Sequence, residues 1–142
     1  MAVGAMVGAG IQYVEDLITQ FGDYARPSDE QYVIRGGYAT TDNLIGGTGP
    51  VRGYAPLTGF STTSAPGMSP SELAMVAKYK NGMISYTTVG QIRSLGYDVV
   101  PTPLPGQPLH HTVITPYPLP TNQGEILSNA FSSKFVNPAK AQ

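Results

Sequence analysis

Apolar residues in this chain follow two rhythms, alternation by two and spacing by three or four, broken often by Gly and Pro. Gln31-Tyr32-Val33-Ile34-Arg35 is β-rich and stops at Gly36-Gly37, which predicts a strand. Thr41-Asp42-Asn43-Leu44 opens a helical turn closed by Gly46-Gly47. Residues 48–68 read as a long structured loop with one short strand at Leu57–Ser61. Ser69-Pro70-Ser71-Glu72 is a helix start, since Ser69 caps, Pro70 fits the first turn and Glu72 completes a capping box. Leu73, Val76 and Ala77 follow on one face, and Asn81-Gly82 makes the next turn. A strand at Met83–Thr87 leads into a second capping box, Thr88 to Gln91, with Ile92 and Leu95 inward and Gly96 as the stop. Strands follow at Tyr97–Val100 and His110–Thr115, separated by the Pro101–Pro108 turn region. After Pro116–Pro120, Asn122 and Glu125 form a third capping box ahead of the stripe Ile126, Leu127, Ala130 and Phe131, which runs to Asn137-Pro138. This order predicts an α+β fold, with a small, mainly antiparallel sheet, flanking short helices and long Gly/Pro-rich loops.

Residues before Gln31 read differently. The stretch from Ala2 to Ile11 is apolar and built of small residues, well short of the ~20 needed to cross a bilayer. It lacks the basic flank and cleavage pattern of a signal peptide. Val14, Leu17, Ile18 and Phe21 continue at helical spacing, Gly22-Asp23 ends the run, and Arg26-Pro27-Ser28-Asp29 reads as a linker. Small-residue spacing of this kind fits either the packed start of a helix or a piece of a larger polypeptide. The expected organisation is a lead-in helix and linker from a larger polypeptide over 1–30 and one domain over 31–142.

Composition narrows the class. The 142 residues include 17 Gly and 13 Pro, only 12% charged residues and 41% hydrophobic ones. Low charge with fair apolar content argues against wholesale disorder, no Gly recurs at every third position, and a helical bundle would be poorer in Gly and Pro. The net charge of −1 provides no basic field for a long duplex, although a local cluster can still hold a few nucleotides. Without Cys there is no disulfide, Cys-ligated zinc or thiol nucleophile. No P-loop, dinucleotide Gly fingerprint, paired-His zinc helix, EF-hand loop or Gly-x-Ser-x-Gly elbow occurs, and no metal site is expected.

Four groups of residues remain as candidates. His110 and His111 are the only histidines, and imidazole is the natural acid–base group near neutral pH. Neighbours on a strand face opposite sides, so at most one enters a given site. The plain alternative is a histidine satisfied by hydrogen bonds. Arg35 ends an apolar strand beside Gly36, where a ligand can approach the backbone, and guanidinium grips phosphate bidentately. Its plain alternative is a solvated strand end. Ser61, Thr62, Thr63 and Ser64 form a hydroxyl cluster after Phe60. Thr87, preceded by Tyr86, stands at a strand-to-helix junction where a hydroxyl can face a site, whereas capping accounts for Thr88.

The Gly-rich lead-in at 2–11, the compact domain after it and the absence of Cys resemble the C-terminal toxin domains of bacterial polymorphic toxins, of the Rhs or contact-dependent inhibition kind. That resemblance implies a secreted antibacterial effector. It would be delivered into the cytoplasm of a target cell, act as a monomer and be neutralised by a cognate immunity protein. Two enzyme groups of such toxins fit. The order of a helix followed by a small sheet with His, Arg and hydroxyls resembles the compact ribonucleases. This implies a metal-independent, cofactor-free ribonuclease acting on RNA or a translation component. His110 or His111 would be its acid–base and Arg35 its phosphate ligand, supported by Thr87 and Ser61. Val33-Ile34-Arg35-Gly36 and Phe60-Ser61-Thr62-Thr63-Ser64 resemble the first strand and the Ser-Thr-Ser segment of ADP-ribosyltransferases, which implies NAD as substrate. The catalytic Glu of that family sits on a late strand, often as Glu-x-Glu, and here the late strand 110–115 holds two histidines and no acid. The ribonuclease is the expected function, the NAD-using transferase the alternative to it, and a non-catalytic binding module the third reading.

Overall fold

A computed structural model describes residues 26–140, so the expected lead-in helix over Gln12 to Phe21 lies outside the described residues. Seven strands form one sheet: β1 (Tyr32–Gly36), β2 (Gly49–Pro50), β3 (Thr58–Ser64), β4 (Met83–Thr88), β5 (Asp98–Pro101), β6 (His110–Ile114) and β7 (Ser133–Val136). Their order is β5-β6-β3-β1-β4-β7, with the short β2 also on β3, and every pairing is antiparallel. Four helices flank it: α1 (Thr41–Gly47), α2 (Pro70–Ala77), α3 (Val89–Ser94) and α4 (Thr121–Ala130). This is the expected small α+β fold.

Alternation along the strands divides the core. Val33, Phe60 and Val113 face α1, α3 and α4, packing with Leu44, Ile92, Leu127 and Phe131. Ile34 and Ile84 turn the other way, towards Leu73 and Ala74 of α2. Phe60 and Phe131 meet edge to face, with centroids 6.0 Å apart, in the first of these layers.

Local chemistry explains most boundaries. Ser69 and Glu72 form both halves of the expected box at the start of α2. Thr40 caps α1 by accepting from the Asn43 N–H. Thr88 caps α3, while the Gln91 side chain turns to Thr87 instead of back to the cap. Gly96 takes the left-handed conformation that stops α3, with φ at 92°. The linker reading of Arg26–Asp29 needs amending. Asp29 pairs with Arg93 at 2.8 Å, its carbonyl accepts from Gly90, and Arg26 reaches Asp98 at 3.5 Å. Gln31 is buried and donates to Ser64 Oγ at 2.8 Å.

Three expectations change at the C-terminal end and one in the middle. The third capping box does not form, because Pro120 occupies the cap position and offers no side-chain acceptor. The helical stripe ends at Phe131, and Ser133–Val136 is the edge strand β7. Ile126 is exposed, whereas Leu127 and Phe131 are fully buried. The short strand expected at Leu57–Ser61 runs on to Ser64. Phe131→Ala should destabilise the domain by about 3–5 kcal/mol, because it empties a fully buried aromatic site. The shift is read from urea unfolding monitored by circular dichroism.

Candidate active-site cleft

The cleft exists because β1 and β3 part company. They pair at Val33↔Ser64 and Ile34↔Thr63, and the far end of β3 pairs with β2 at Thr58 and Gly59. Between those two pairings, Phe60, Ser61 and Thr62 have no ladder partner on that edge. Arg35 fills the gap. Its Nη1 donates to the Ser61 carbonyl at 2.7 Å, and its guanidinium carbon lies 5.3 Å from the Phe60 ring centroid. A Cβ on Gly47 would lie 2.2 Å from Nη2, so any larger residue there would push the guanidinium out of this position. Burial lowers the proton affinity of Arg35, and an Arg in this setting still keeps its charge.

A cavity of about 480 Å³ opens at this parting, within the range of roughly 300–1,000 Å³ common for ligand sites. Arg35, Gly36, Ser61, Thr62, Thr63, Tyr79, Asn81 and His110 supply its polar lining, and Val76, Leu104 and Leu109 supply apolar walls. A smaller cavity of about 200 Å³ shares Ser61, Leu104 and His110 with it.

Strand register selects between the histidines. His110 pairs with Thr63 and shares a face with Ser61, whereas His111 pairs with Thr62 on the opposite face. His110 Nδ1 lies 2.8 Å from both the carbonyl and the hydroxyl of buried Thr102. A carbonyl only accepts, so this assigns the proton to Nδ1 and leaves Nε2 an acceptor. Ser61 Oγ, 2.9 Å away, therefore donates to Nε2. Thr102 is itself held by the Thr112 hydroxyl at 2.7 Å. Burial lowers the proton affinity of His110, with the Thr102 carbonyl acting in the opposite sense. His111 is also pulled down by burial, hydrogen-bonds the Leu109 carbonyl at 2.9 Å and does not line the cleft.

Two further expectations are corrected. Thr87 is buried, its hydroxyl given to Gln91 Oε1, and it does not line the cleft. Tyr86 packs edge to face with Tyr32 and Phe135 and stands apart from the cleft as well. Arg35, Gly36, Ser61, Thr62, Thr63 and His110 are brought together as expected positions of one site.

Tyr79 and Asn81 escaped sequence reasoning. Lys78 ends α2 in the left-handed conformation, φ 54°, which turns the chain towards the cleft. Tyr79 Oη lies 2.8 Å from Thr63 Oγ1, and burial raises its proton affinity, so the phenol is neutral. Asn137, fully buried beyond β7, donates to the carbonyls of both Tyr79 and Asn81 at 2.8 Å. A Cβ on Gly36 would fall 2.3 Å from Asn81 Oδ1 and 2.8 Å from the Tyr79 ring, so this wall requires glycine opposite it. Thr102 gave no sequence signal either, lying in what reads as a Pro-rich turn.

Comparison with protein-family models, curated proteins and solved structures finds no match to this chain. Among the described residues no group of His, Asp or Glu has the arrangement of a metal site.

Two outcomes test this geometry. Gly36→Ala should cost about 1–3 kcal/mol by overpacking against Asn81 and Tyr79, read as a lower thermal midpoint. The lowered proton affinity of both histidines means that the unfolded chain binds protons more readily than the folded one. Their contribution to stability is complete above the ordinary imidazole value near 6.5 and declines as pH falls below it. Replacing both histidines with Gln should flatten that acid limb in a series of unfolding curves.

Proposed function

We propose that the cleft binds NAD and that the domain breaks its N-glycosidic bond, transferring or releasing ADP-ribose. The observation that carries this is the meeting of one half-buried Arg with a Ser–His pair at the parting of β1 and β3. Guanidinium suits the diphosphate of a dinucleotide. Apolar Val76, Leu104 and Leu109 offer flat surface for a base or a nicotinamide ring. Nicotinamide leaves a glycosidic bond as a neutral molecule, so cleavage needs no acid to protonate it. The demand on the protein is to hold the diphosphate and to place acceptors around the ribose. Neutral His110, on the late strand, takes the Ser61 hydroxyl proton at Nε2 and so turns the Ser61 oxygen into such an acceptor.

Cleavage of RNA asks for more. Attack by the 2′-hydroxyl needs a base, and departure of the 5′-oxygen needs an acid. His110 provides one of these groups. His111 faces away, and Tyr79, with its raised proton affinity, is the only other cleft-lining group besides Arg35 that titrates. The ribonuclease reading is kept as the second one on the strength of Arg35 and His110 opening on the same cleft.

Within either reading the domain is the delivered part of an antibacterial toxin, working in the cytoplasm of a target cell. A cognate immunity protein would block the cleft.

Calorimetric titration with NAD, together with chromatographic detection of nicotinamide, tests the proposal. Wild-type protein should bind NAD and release nicotinamide. Arg35→Lys should weaken binding by about 10- to 100-fold, the loss of one charge-assisted hydrogen bond of roughly 1.5–3 kcal/mol. Thermal unfolding of the same variant separates lost binding from lost fold. Cleaved cellular RNA with NAD untouched would replace this reading with the ribonuclease. No chemistry on either substrate would leave the binding module.

A further inference from the structure

Ser61, Thr62 and Thr63 line the cleft from β3, but the Thr62 side chain turns to the opposite face of the strand. Thr62 donates to the His111 carbonyl at 3.1 Å, and Thr63 is paired with the Tyr79 hydroxyl at 2.8 Å. Ser61 alone gives its proton to a basic nitrogen, His110 Nε2, at 2.9 Å. Its side chain is exposed on the cleft while the histidine behind it is buried. The imidazole is fixed from its far side by the Thr102 carbonyl. The Ser61 main chain is fixed by Arg35, so the group that would hold a diphosphate also sets the position of this hydroxyl. A hydroxyl joined to an oriented base is the arrangement that activates a nucleophile.

We propose that Ser61 is a self-modification site: its hydroxyl accepts the ADP-ribosyl group of NAD as an O-glycoside. The inference rests on the NAD reading of the cleft and goes beyond it. Ser61 Oγ forms a bond to C1 of the nicotinamide ribose as the bond from C1 to the pyridinium nitrogen breaks. The electron pair of that bond leaves with nicotinamide and neutralises the ring. The serine proton passes to His110 Nε2 and then to water. No oxidant, metal or further reactant enters the balance. Burial of His110 favours the unprotonated imidazole that this transfer needs near neutral pH. An O-glycoside on Ser61 fills the junction of the two cavities, so a modified chain can no longer admit NAD.

The test incubates the full chain with NAD labelled in its adenylate half, then maps the label by peptide mass spectrometry. NAD binding and nicotinamide release are measured in parallel. The expected result is one ADP-ribosyl group per chain on Ser61, no label at that peptide in a folded Ser61→Ala, and labelling slowed by about 100-fold in His110→Gln. NAD bound or cleaved with the Ser61 peptide unmodified, or label on another residue, overturns self-modification and leaves the NAD reading standing. Absence of NAD binding overturns both. Should Ser61→Ala fail to fold, the map of the wild-type chain decides alone.

Discussion

The structure depends on one interruption in a hydrogen-bond ladder. Backbone groups inside a sheet need partners, and β3 has two residues paired with β1 at one end and two with β2 at the other. Over Phe60–Thr62 that edge is open. The Arg35 guanidinium supplies a donor to the exposed carbonyl and packs over the Phe60 ring. One side chain thus stitches the sheet and brings a permanent positive charge to the cavity floor. The two roles are tied, because the same guanidinium that bonds the Ser61 carbonyl also lines the cavity.

Around this stitch the remaining parts follow from alternation. One face of β3 and β6 gives the cleft Ser61, Thr63 and His110. The other carries Thr62, His111, Phe60 and Val113 towards the helices. A shift of register by one residue would exchange these sets and bury the hydroxyls where Phe60 now packs. Full burial of Val113 and near-full burial of Phe60 therefore hold the register on which the Ser61–His110 contact depends.

Much of this was legible in the sequence because it is local. The cap at Ser69, the stop at Gly96 and the strand ending in Arg35 are each decided within a few residues. Alternation already said that only one of His110 and His111 enters a site, and pairing with β3 decided which. Tyr86 and Thr87 were misplaced because their neighbours come from far away in sequence: Thr87 shares the face of Val33, and Tyr86, on the other face, packs against Phe135 of β7. Strand β7 was hidden in what looks like a helix tail, since four residues on an edge, mostly exposed, leave no periodic mark. Tyr79 and Asn81 reach the cleft through a left-handed turn at Lys78, a residue type that gives no warning of one.

Asn137 carries a consequence for how the domain comes into being. It grips the carbonyls of Tyr79 and Asn81 across sequence separations of 58 and 56 residues. The contact costs loop-closure entropy before it contributes, and it forms with the pairing of β7 on β4 that brings Asn137 to this turn. During synthesis, α2, β3 and β4 leave the ribosome well before Asn137. The ligand-facing wall stays unset over that interval. A nascent chain can thus hold most of its sheet while lacking a finished pocket, and the cleft is completed late, as a property of the whole domain.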